Sequence, residues 1–171
     1  KLEGFLSYEG WQIVPMEGND LGYDIYLLGS YKRSLEKHLR RSRITHLEAV
    51  NLGLDICAAL TAARRSGLMY VDLKPSNIFV NDKNEFCIGD LGFVRLDALK
   101  YASLPEKYRS SYTAPEMADC FAQLNDKLDV YALGLILYQA YNEGRLPFAT
   151  NAPNEILPAP IYADYELAEI I

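Results

Sequence analysis

The sequence predicts an α+β protein, with a small β part before about residue 30 and a mostly helical remainder. Three observations carry this expectation. Short runs rich in β-formers stand near the start, the clearest being Tyr23-Asp24-Ile25-Tyr26-Leu27-Leu28. Leu124 to Asn142 is a long helix candidate with almost no polar face, which suits the middle of a domain. Between them, Tyr70 to Val80 passes from an apolar run through a polar loop into a short strand-like run.

In chain order, Phe5-Leu6-Ser7-Tyr8 and Trp11-Gln12-Ile13-Val14 read as two short strands, and Glu17-Gly18-Asn19-Asp20 as a turn. Ser34 to Arg40 reads as a short helix. Thr45-His46-Leu47-Glu48 is a capping box, in which hydroxyl and carboxylate each satisfy an orphan amide at a helix start. The helix that follows carries Leu47, Val50, Leu54, Cys57 and Ala58 at helical spacing, so this face, Cys57 included, is expected to be buried. Gly67 suits its end. His46 is expected at the surface, and neither it nor His38 has a partner pattern that points to catalysis or metal. Glu85-Phe86-Cys87-Ile88 reads as a strand, Gly144 to Phe148 ends the long helix, and residues 149–164, with Pro153, Pro158 and Pro160, read as loop. Glu166 to Ile171 begins a further helix.

Bulk properties narrow the function classes. A chain of 171 residues, 50% hydrophobic and 23% charged, can bury one sizeable core. The net charge of −6 gives no reason to expect nucleic acid or an anionic membrane as partner. Cys57, Cys87 and Cys120 show no C-x-x-C spacing, so a disulfide framework or zinc site is not expected and a reducing, cytoplasmic setting is. No apolar run reaches ~18 residues, so no membrane span is expected.

The polar loop carries the chemistry. Asp72, Lys74 and Asn77 lie within it, and Asp90 follows in Ile88-Gly89-Asp90-Leu91-Gly92. Such a set suits phosphoryl transfer: one carboxylate orients a hydroxyl, oxygen ligands hold Mg²⁺, and an ammonium meets the phosphate. Tyr70-Val71-Asp72-Leu73-Lys74-Pro75-Ser76-Asn77 resembles the H-R-D-L-x-x-x-N catalytic loop of the protein kinase family, and Asp90-Leu91-Gly92 resembles its D-F-G. Ala114-Pro115-Glu116 and Asp129-Val130-Tyr131-Ala132-Leu133-Gly134 follow in family order.

The resemblance implies a protein-kinase-like fold, with the end of the N-lobe and the hinge in residues 1–32 and a C-lobe in 33–171. It implies Asp72 as catalytic base and Lys74 at the γ-phosphate. Asn77 and Asp90 become Mg²⁺ ligands, and Gly29, Ser30 and Tyr31 the hinge beside the adenine of ATP. Glu116 and Asp129 become structural supports, Asp129 through backbone amides of the catalytic loop. The partner implied is a protein with a Ser or Thr hydroxyl, because Lys74 is the serine/threonine-type variant of the loop.

Departures stand beside the matches. Tyr70 and Val71 replace the family's His and Arg, Leu91 replaces its Phe, and Arg109 stands where a Thr is usual, with Ser110 and Ser111 beside it. The sequence contains no G-x-G, and its only Lys ahead of the hinge is Lys1. A kinase fragment is therefore expected, truncated before the last helices, with uncovered apolar surface that favours self-association. A pseudokinase scaffold is the alternative, favoured by Tyr70, Val71 and Arg109. A small-molecule kinase is a third reading, disfavoured by Ala114-Pro115-Glu116.

Overall fold

The structure, a computed structural model, describes residues 2–15, 23–29, 33–89, 93–95, 110–118 and 125–147. It is a mixed α+β arrangement in which strands of two small antiparallel sheets pack on the first of two long helices. Strands β1 (Tyr8–Pro15) and β2 (Tyr23–Gly29) form a two-stranded antiparallel sheet, irregular between Tyr8 and Gly10. One strand therefore replaces the two short runs expected there. Phe5 lies outside it, in a parallel bridge to Ile88. The turn expected at Glu17–Asp20 lies outside the described residues.

After β3 (Arg33–Ser34) comes α1 (Leu35–Leu39), started by the Ser34 hydroxyl, which accepts from the Lys37 amide at 3.4 Å. The long helix α2 (His46–Arg65) begins at the Thr45–Glu48 capping box, with both reciprocal hydrogen bonds formed. It ends at Ser66 and Gly67, the latter at φ +72, the left-handed conformation that favours glycine after a helix. Strand β4 (Leu68–Tyr70) pairs with β7 (Phe93–Arg95), while β5 (Ile78–Val80) lies between β3 and β6 (Phe86–Ile88). The second long helix, α3 (Lys127–Tyr141), packs on α2.

The face of α2 expected inside is outside. Leu47 is 68% and Leu54 64% exposed, Val50 and Ala58 are exposed too, and so is Cys57. The buried face is Ala49, Leu52, Ile56, Ala59 and Ala63. Two apolar stripes wind along this helix. The buried one is built largely of alanines, whose small side chains let α2 sit against β4, β6 and α3. The N-terminal segment shows how closely: at Gly4, φ +78, an added Cβ would stand 2.6 Å from the Ala59 Cβ. Helix α3 departs as well, being more exposed than an all-round apolar sequence suggested. Leu128, Asp129, Ala132, Leu133, Leu135, Ile136 and Ala140 are buried, but Val130 is 62% exposed. Its first expected residue, Leu124, lies outside the described residues.

The main core joins Leu35, Leu52, Ile56, Tyr70, Leu73, Ile78, Ile88 and Ile136. These residues come from both long helices, the sheets and the polar loop, so the loop is anchored from within. Among the described residues no helix is long and apolar enough to cross a membrane.

Candidate phosphoryl-transfer site

The loop between β4 and β5 is held by its ends. Leu73 is buried in the main core, and Pro75–Asn77 close a single 3-10 turn in which the Asn77 amide donates to the Lys74 carbonyl at 2.9 Å. That turn points three polar side chains at one place. Lys74 Nζ donates to both oxygens of Asp72, at 2.9 and 2.7 Å. Asn77 Nδ2 donates to Asp72 Oδ2 at 3.0 Å and to the Asp72 carbonyl at 2.9 Å. Asp72 is only partly buried, so its carboxylate is aimed and charge-compensated yet still reachable from solvent. With its nitrogen turned to Asp72, Asn77 keeps a carboxamide oxygen that accepts no hydrogen bond from the described residues. An oxygen of this kind is a hard-cation ligand, so the donor chemistry fits Mg²⁺.

Helix α3 supports the loop from below. Asp129, buried in its first turn, accepts from the Tyr70 amide at 3.0 Å. Burial pushes its carboxyl up to about 8, against the Tyr70 hydrogen bond and with a further push from the Asp126 carboxylate. The Tyr70 side chain, fully buried, donates from its hydroxyl to the Gly89 carbonyl at 2.6 Å. Gly89 precedes Asp90 and donates its own amide to the Asn77 carbonyl at 2.7 Å. The strand before it is tied to α2, where Asp55 accepts from the Phe86 amide at 2.9 Å. Residue spacing had not marked Tyr70, Gly89 or Asp55 as parts of this framework. Tyr70 was visible only as a departure from His, and no local pattern pairs a helix Asp with an amide 31 positions away.

Val71, standing where the resembling family has Arg, is buried with Met69, Ala114 and Leu128. It therefore packs the Ala114-Pro115-Glu116 segment against the start of α3 through apolar contact. Glu116 sits half-buried in the 3-10 turn Pro115–Ala118. Close by, the Tyr112 hydroxyl donates to Gln139 Oε1 of α3 at 2.7 Å. Gly29 is the last residue of β2, paired with Tyr8. Ser30, Tyr31, Asp90 and Arg109 lie outside the described residues. His46 is exposed, with Tyr141 Oη 2.9 Å from its Nδ1. His38 is buried, and neither ring nitrogen has a hydrogen-bond partner among the described residues. Burial holds its pKa down, with Arg33 adding to the effect and Glu48 opposing it.

The profile of the family described as protein kinase domain matches residues 20–164. Among curated relatives, a calmodulin-binding receptor-like cytoplasmic kinase of Arabidopsis thaliana is 28% identical over 162 residues, covering 91% of this chain and 32% of the relative. The serine/threonine-protein kinase RUNKEL of the same plant is 31% identical over 115 residues, 66% of this chain and 8% of that protein. Tyrosine-protein kinase Btk of Drosophila melanogaster is 26% identical over 141 residues, 78% and 18% respectively. The chain thus spans a third or less of the length of these relatives.

Proposed function

The chain belongs to the protein kinase family, and from that premise we propose that it carries the catalytic loop of a serine/threonine protein kinase. The observation that supports this best is the convergence of Lys74 and Asn77 on the Asp72 carboxylate at 2.7–3.0 Å. In this reading residues 1–32 are the end of the N-lobe with the hinge, and 33–171 belong to the C-lobe. Asp72 accepts the hydrogen bond of an incoming Ser or Thr hydroxyl and orients its lone pair. To meet a γ-phosphate, the Lys74 ammonium exchanges one of its two bonds to Asp72 for a phosphate oxygen. Asn77, through its free carboxamide oxygen, and Asp90 would hold Mg²⁺. Bound there with ATP, the ion would neutralise charge on the phosphates. Gly29, Ser30 and Tyr31 would present backbone groups to adenine. Asp129 holds the loop by its Tyr70 amide, and Glu116 supports the segment that receives the protein substrate. A cytoplasmic setting fits these roles.

The experiment is phosphate transfer from labelled ATP by the parent protein, followed by phosphoamino-acid analysis. Asp72→Asn should lower turnover by about 10²–10⁴, the usual share of a general base, and the label should sit on Ser or Thr. Turnover unchanged by that substitution would overturn the assignment. Label on Tyr would overturn the substrate class, which the name of the Drosophila relative keeps in view.

A pseudokinase scaffold is a second reading, favoured by one observation: Val71 is buried where a phosphate-receiving Arg is usual. The retained Asp72, Lys74 and Asn77 weigh against it. Exposed Leu47, Leu54 and Val130 also support self-association of this chain.

A further inference from the structure

We propose that the cleft between α2, β4 and α3 binds a small organic cation with an apolar body, whose charge rests on the Asp129 carboxylate. The cleft is separate from the Asp72 cluster, and the proposal stands whether or not that cluster transfers phosphate. It holds about 170 Å³, and a cavity of about 150 Å³ is enough for benzene. Its walls are apolar, with Leu60 from α2, Leu68 from β4, and Val130 and Leu133 from α3. At its rim, Arg64 Nη1 and Asp126 Oδ2 pair at 2.6 Å, both side chains reaching solvent. Arg64, the one cation among the described residues lining the cleft, is thus already taken. At the buried end stands Asp129, only 4% exposed. Its Oδ2 accepts from the Tyr70 amide at 3.0 Å, and its Oδ1 accepts no hydrogen bond from the described residues. A buried carboxylate oxygen without a donor is costly, and a cation with N–H groups supplies both the donor and the charge. Burial keeps the Asp129 proton on up to about pH 8, the Tyr70 hydrogen bond opposing this and the Asp126 carboxylate adding to it. A cation at Oδ1 displaces that proton, so binding tightens as pH rises toward 8. The other charged or titratable groups lining the cleft are Arg64 and Cys57 of α2 and Asp126 of α3, while β4 contributes Leu68 and Met69.

The test is NMR titration of this 171-residue chain with benzamidine, a flat ring bearing a cation, and with benzamide, its neutral counterpart of the same shape. At pH 8.5 benzamidine should bind saturably and shift the Tyr70 amide, whose acceptor it shares. Benzamide should bind about tenfold more weakly or worse, because it lacks the charge. Asp129→Asn keeps a carbonyl for the Tyr70 amide but loses the carboxylate, and should weaken benzamidine about tenfold. Thr61→Trp, at an exposed position of the cleft wall, should block binding without touching the core. In Cys57→Ser, which removes the thiol from the titration, affinity at pH 7 should be about tenfold lower than at pH 8.5. Absence of saturable benzamidine binding would overturn the proposal. So would equal affinity for benzamide, which marks an apolar cleft only, and so would binding that survives both Asp129→Asn and Thr61→Trp, which places benzamidine elsewhere. Tighter binding of a capped Gly-Arg-Gly peptide would overturn the assignment to a free small molecule, since the cleft then takes the arginine of a protein.

Discussion

At the scale of single residues, two buried titratable groups make opposite pH predictions. Asp129 has its folded pKa raised to about 8 from an ordinary 3.8. Between those values the folded chain holds a proton that the unfolded chain gives up. Its contribution to stability is thus full below 3.8 and is lost as pH rises toward 8. Asn at this position keeps a carbonyl for the Tyr70 amide but cannot ionise. Asp129→Asn should therefore flatten the decline in urea midpoint from pH 5 to pH 8.5, and a decline as steep as in the unsubstituted chain would refute the assignment. His38 has its folded pKa lowered from an ordinary 6.5. The unfolded chain takes up that proton first, so stability is present above 6.5 and lost as pH falls below it. His38→Leu removes two ring nitrogens that have no hydrogen-bond partner among the described residues and should abolish that loss. An unchanged acid-side slope would show that carboxylates alone cause it.

At the scale of elements, α2 offers a direct test of which stripe faces the core. Ile56 is fully buried and Leu54 is not. Ile56→Ala should cost about 2–5 kcal/mol, by lost burial and the cavity left behind, whereas Leu54→Ala should cost under about 0.5 kcal/mol, as exposed positions do. Equal costs in denaturant titrations would mean that both stripes are covered. The start of the same helix is a separate unit. Thr45 receives the Glu48 amide at 3.2 Å, while its own amide and hydroxyl each donate to Glu48 at 2.8 Å. Thr45→Ala should destabilise by about 1 kcal/mol, measurable as a shifted midpoint with unchanged slope. In exchange experiments α3 should be the slowest element on its Leu133–Ile136 side, which faces the core.

For the molecule as a whole, chemistry and assembly follow from different parts of the sequence. Phosphoryl transfer is catalysed by positioning and electrostatics. In the proposed reading, Asp72, Lys74 and Asn77 would supply both for a hydroxyl and one phosphate. No G-x-G occurs in this sequence, and no Lys other than Lys1 stands before Lys32. A chain without these two features should turn over ATP far more slowly than an intact kinase, and comparable turnover would refute that. Exposed Leu47, Leu54 and Trp11 should make it associate at high concentration. Sedimentation equilibrium should report species larger than a monomer. A strictly monomeric profile would count against association without touching the chemistry.

What the sequence determined by itself was local or carried by spacing. The capping box at Thr45, the glycine stop at Gly67, the short strands around the polar loop and the set Asp72, Lys74, Asn77 are legible because each depends on neighbours within a few positions. The choice between the two apolar stripes of α2 was not. Leu47 and Leu54 are larger than Ala49 and Ala59, and only contact with β4, β6 and α3 makes the small residues the inner ones. The exposure of Val130 has the same cause, since a helix apolar all round must still turn one side away from its partner. The framework of the site was also hidden. Asp129 meets the Tyr70 amide across 59 positions, and the Tyr70 hydroxyl meets Gly89 across 19. Hydrogen bonds to backbone groups leave no residue pair to read in a sequence, because every residue type offers the same carbonyl, and all but proline the same amide. Which of them a side chain reaches is decided only when the sheets and helices have packed.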